Sequence, residues 1–72
     1  MYEVWYGKNC LENSGGIRRA KYEAIQEALC LMRAYGSTIN RIVVTDGLGE
    51  LRREVWRREY VLGEWAPMTP RG

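Results

Sequence analysis

The chain opens with alternating apolar and polar positions. Tyr2, Val4 and Tyr6 fall on one side and Glu3 and Trp5 on the other, in residue types that favour β structure. This predicts a strand over residues 2–6. Residues 7–16 are rich in Gly, Asn and Ser and read as a long hairpin loop. Residues 17–22 then predict a second strand, with Ala20 and Tyr22 inward and Arg19 and Lys21 outward. The period changes after Tyr22. Ile25, Ala28, Leu29 and Met32 recur at helical spacing, flanked by Ala24, Leu31 and Tyr35, and predict an amphipathic helix over residues 23–35. Glu23 and Glu27 near its start and Arg33 near its end suit the helix dipole, and Gly36 is placed to stop it.

Alternation resumes at Arg41–Thr45, with Ile42 and Val44 on one face and Val43 on the other. Asp46-Gly47-Leu48-Gly49 signals a tight hairpin, because Asp-Gly tolerates the positive φ angles of two-residue turns. The partner strand is expected over residues 50–58. Leu51 and Val55 would share one face, and Arg52, Glu54, Trp56 and Arg58 the other. Residues 60–65 suit a short fifth strand, with Trp65 folding back onto the core. Residues 67–72, with Pro67 and Pro70, read as a tail to a single domain over residues 1–66. The predicted fold is α+β: an antiparallel sheet of four or five strands with one helix on one face (ββαββ). The other face is left for solvent or a partner.

Composition narrows the chemistry. The 72-residue chain has no His and two Cys, Cys10 and Cys30, too far apart in sequence for a zinc-type pair. Free thiols in a reducing compartment are expected; one disulfide between them is the alternative. No Ser lies in a nucleophile-elbow pattern, and neither Ser14-Gly15-Gly16 nor Gly47-Leu48-Gly49 forms a phosphate-cradling loop. No enzyme, metal or cofactor is expected. The N-terminal residues lack the basic and apolar regions of a signal peptide, and no apolar run is long enough to cross a bilayer. A cytoplasmic protein without membrane contact is the expectation.

Charge adds a surface. The net charge of +2 is mild, but Arg18, Arg19 and Lys21 cluster in one segment and Arg52, Arg53, Arg57 and Arg58 in another. Under strict alternation, the face away from the helix carries Trp5, Arg19, Lys21, Val43, Arg52, Trp56 and Arg58. Aromatic and cationic side chains together suit a protein interface or the stacking of single-stranded nucleic acid. They equally suit two Trp covering each other under Arg stems. Partner-binding residues are therefore expected at Trp5, Arg19, Lys21, Arg52, Trp56 and Arg58.

The strand ending in Tyr22, the helix sequence Glu-Ala-Ile-Gln-Glu-Ala-Leu, the strand into Asp46-Gly47-Leu48-Gly49 and the strand with Trp56 carry a resemblance over about residues 2–60. In size and element order the chain resembles very small phage and mobile-element proteins, and among them anti-CRISPR inhibitors of type I surveillance complexes. The resemblance implies a stoichiometric inhibitor that docks on a Cas protein and blocks the path of nucleic acid. It transfers no site residues, and the mild net charge departs from strongly acidic DNA mimics. Direct nucleic-acid binding and a homodimeric interaction module stay open as alternatives.

Overall fold

A computed structural model describes residues 1–71. Gly72, the last residue of the expected tail, lies outside the described residues. Five strands form one antiparallel sheet: β1 (Tyr2–Gly7), β2 (Asn13–Arg18), β3 (Arg41–Asp46), β4 (Arg53–Val61) and β5 (Glu64–Pro67). One helix, α1 (Lys21–Tyr35), follows β2. The sheet order is β2-β1-β3-β4-β5, and the central strand β3 is the most buried. The α+β class and the single helix on one face match the expectation from the sequence.

α1 packs on β1, β2 and β3. Its contact stripe is built on Ala24 and Ala28, both fully buried against Val4, Ile42 and Val44. Small residues there bring the helix axis close to the sheet. Ile25, Leu31 and Met32 fill the flanks. Leu29, expected in the stripe, is exposed, because the helix is rotated toward its alanines. α1 begins two residues before the expected start. The Glu23 carboxylate accepts the Ala20 N–H at 3.3 Å, half of a capping box, since Ala20 has no side-chain oxygen to return the bond. At the other end Gly36 takes φ +55° and donates its N–H to the Met32 carbonyl.

The second strand differs from the reading by spacing. It spans Asn13–Arg18 rather than residues 17–22, so Arg19 and Ala20 turn the corner, Lys21 opens the helix, and Tyr22 is 70 % exposed in its first turn. The glycines that resembled a loop serve a β-bulge. Val4 pairs with Gly16 and Trp5 with Ser14, leaving Gly15 as the extra residue. A Cβ on Gly15 would stand 2.9 Å from Leu31 Cδ1 and 3.3 Å from Val4 Cβ, so glycine there leaves room for the Leu31 tip where helix and strand approach.

The β3–β4 connection is longer than a two-residue turn. A 3-10 turn at Gly49–Leu51 delays the strand to Arg53, and Leu51, expected to face the core, is 90 % exposed. A second bulge follows. Val44 pairs with Trp56 and Thr45 with Glu54, which makes Val55 the extra residue. Val55 and Trp56 both pack on the helix-side core. Tyr60 and Val61 belong to β4, and the fifth strand begins only at Glu64, after a turn at Leu62–Gly63. The ladder continues past Pro67 through a bond from the Met68 N–H to the Arg57 carbonyl.

Candidate functional site

The bulge at Val55 decides where the aromatic and cationic side chains point. A one-residue change of phase moves every later side chain to the opposite face. Trp56 and Arg58, expected beside Trp5, therefore stand on the helix side, opposite Val44 and Ile42. Trp5 stays on the helix-free face, opposite Val43. Each Trp carries its own arginine. The Arg52 guanidinium lies 4.8 Å from the Trp5 ring centre and that of Arg58 4.4 Å from Trp56. Arg19 and Lys21 are exposed at the β2–α1 corner, separated from β4 by β1 and β3. Arg18, not Arg19, is tied down, by a 2.9 Å ion pair with Glu27 of the helix. The six residues expected to form one surface thus occupy three places.

On the helix side, α1 spans only the β2-β1-β3 portion of the sheet. The neighbouring β4–β5 portion presents Trp56, Arg58 and Tyr60 at alternate positions, with Trp65 beside Tyr60 and Pro67 beside Arg58. Tyr60 and Trp65 meet edge to face at 5.5 Å. All four of Trp56, Arg58, Tyr60 and Trp65 are half-buried. Trp56 and Trp65 pack against the core, as expected for Trp65.

The row ends at a hairpin tip that periodicity did not single out. Leu62 is 99 % exposed and takes φ +52°, followed by Gly63 at φ +86°. Two successive positive φ angles suit Asn-Gly or Gly-Gly far better than a bulky residue. A leucine there is both strained and fully in water. The signal available in the sequence was Leu-Gly at the centre of a tight turn, where Asn or Asp is the normal first residue.

The helix-free face is partly covered. Val43 is buried there, and so is Arg57, at 3 % exposure. Arg57 Nη1 donates to Glu54 Oε2 at 2.8 Å, and its Nε donates to Glu59 at 2.7 Å. Burial works against the charge of Arg57, but the Glu59 and Glu54 carboxylates outweigh it and hold its pKa above the ordinary value. Glu54 and Glu59, which lie among these arginines in sequence, are thus the partners of Arg57. A cleft of about 220 Å³ opens on this face beside Trp5.

Cys10 and Cys30 are unpaired and exposed. Among the described residues no group of three His, Cys, Asp or Glu is placed to hold a metal ion. Among the described residues no helix is long and apolar enough to cross a membrane. Compared with protein-family models, with curated proteins and with solved structures, the chain matches none.

Proposed function

We propose that this protein is a non-enzymatic binding domain that docks on a protein partner through the β4–β5 half of its sheet. The observation that carries this reading is Leu62, a bulky apolar side chain held in water at a strained φ on the hairpin tip. A residue kept where glycine or asparagine would be more stable points to use rather than stability. Behind it, Tyr60, Trp65, Trp56 and Arg58 supply the aromatic and arginine composition that dominates binding hot spots. A platform stacking bases on both Trp5 and Trp56 has no counterpart in this geometry, since the two rings lie on opposite faces.

The specific form of the reading is an inhibitor that seats this surface on a protein of a CRISPR-type complex and obstructs nucleic-acid access; resemblance in size and element order supports it. Immobilised protein titrated with a purified type I surveillance complex tests it. Saturable binding that Leu62→Asp weakens at least tenfold, with the fold intact by circular dichroism, is the expected result. Binding unaffected by Leu62→Asp and Tyr60→Ala would remove the β4–β5 surface from the reading. No binding to any surveillance complex would remove the CRISPR partner.

A further inference from the structure

The cleft on the helix-free face is separate from the β4–β5 surface and has a different chemistry. Trp5, Val43 and Thr45 form its floor side, Leu11 enters from the β1–β2 loop, and Arg52, Arg53, Glu54 and Arg71 complete the lining. Three features set its character. First, none of Arg52, Arg53 and Arg71 makes an ion pair among the described residues. Second, the single lining carboxylate is already engaged. Glu54 Oε1 accepts from Arg57 Nη1 at 2.9 Å and from the Arg71 backbone N–H at 3.0 Å, while Oε2 accepts from Arg57. Third, the indole Nε1 of Trp5 is buried with no hydrogen-bond partner. An indole N–H only donates, and a buried donor left without a partner is destabilising.

Guanidiniums without an ion pair among the described residues leave the cleft short of anionic acceptors, while the buried Trp5 N–H lies behind the ring and not on the open wall. The one lining carboxylate, Glu54, is already paired with Arg57, so the charges of Arg52 and Arg71 are left uncompensated among the described residues; Arg53 stands opposite Asp46, on the helix-side register. Water supplies acceptors but not the charge. A carboxylate supplies one negative charge, whereas a phosphate monoester carries nearly two near neutral pH and three terminal oxygens for several donors. Arginine forks match phosphate oxygens in pairs. At about 220 Å³ the cleft is smaller than a typical small-molecule pocket and suits one such group rather than a whole metabolite. Arg52 is already stacked on Trp5, which fixes one guanidinium at the cleft before any ligand arrives.

We propose that this cleft is an anion site that takes a phosphate monoester group, held by Arg52 and Arg71 beside the Trp5 indole. The chain has three Trp, so a ¹H–¹⁵N spectrum shows three indole cross-peaks, and Trp5→Phe identifies that of Trp5. Titration with inorganic phosphate, then with O-phosphoserine, at constant ionic strength reads the site directly. The expected result is a saturating shift of the Trp5 peak alone. Arg52→Ala and Arg71→Ala should each weaken the apparent affinity about tenfold, as loss of one charge-assisted bond does. Both substitutions keep the fold measurable, because Arg52 is exposed and Arg71 anchors through its backbone N–H. A shift reproduced by acetate or chloride, or equal movement of all three indole peaks, would overturn the proposal. So would a single-stranded oligonucleotide that moves the Trp5 peak at far lower concentration than either monoester, which would assign the cleft to phosphodiesters.

Discussion

The two halves of the sheet are held by different forces. β2, β1 and β3 lie under α1, and their helix-side residues Val4, Ile42 and Val44 are fully enclosed with Ala24 and Ala28. β4 and β5 are not spanned by the helix. They rely on strand pairing, on half-buried aromatic rings and on one buried arginine with two carboxylates on the opposite face. In so small a domain the apolar core is limited, and a single helix of fifteen residues cannot cover five strands. The uncovered half is where large side chains remain available, and the proposed docking surface lies there.

The contrast can be broken most severely at its two anchors. Ile42→Ala removes a fully buried side chain beneath the helix and should lower global stability by about 3 kcal/mol in urea denaturation. Arg57→Ala leaves Glu54 and Glu59 without their buried cation and should cost about 3 kcal/mol as well. The two variants should differ in where they loosen the molecule. By amide hydrogen exchange, Arg57→Ala should lose protection first in β5 and residues 68–71, which hang on β4, while Ile42→Ala lowers protection throughout. Equal loss everywhere in both variants would mean that the halves unfold as one unit.

Smaller changes sharpen the contrast. Tyr60→Ala should cost only about 1 kcal/mol, the value of its edge-to-face contact with Trp65. A cost matching Ile42→Ala would instead make the β4–β5 aromatics part of the core. Leu62→Asn should stabilise the protein by about 1 kcal/mol, because asparagine accepts the left-handed conformation. The same variant should bind a docking partner more weakly, and a stabilised protein with unchanged binding would make Leu62 incidental.

Much of the architecture was legible along the chain. The strand periodicity of Tyr2–Tyr6 and Arg41–Thr45 and the helical recurrence from Ala24 to Met32 are local, so they survive into the fold with small boundary shifts. The second strand was misplaced because Ser14-Gly15-Gly16 looks like a turn, although Gly15 makes room for Leu31 of the helix and Gly16 takes a positive φ within the strand. The first of these reasons lies outside the segment. The candidate surface was legible as a set of residue types but not as a set of neighbours.

The amino-acid sequence by itself determined the α+β class, the single amphipathic helix, the apolar central strand, one Trp in each of β1 and β4, and a run of arginines in and just before β4. Whether Trp56 faced Trp5 or the helix was not a property of residues 53–61 alone. It depended on Val55 pairing with no residue of β3, a choice of cross-strand register that sequence periodicity cannot express. That one unpaired residue turned Trp56 and Arg58 to the helix side and Arg57 into a buried ion cluster. It thereby separated one expected surface into a docking face and an arginine-lined cleft.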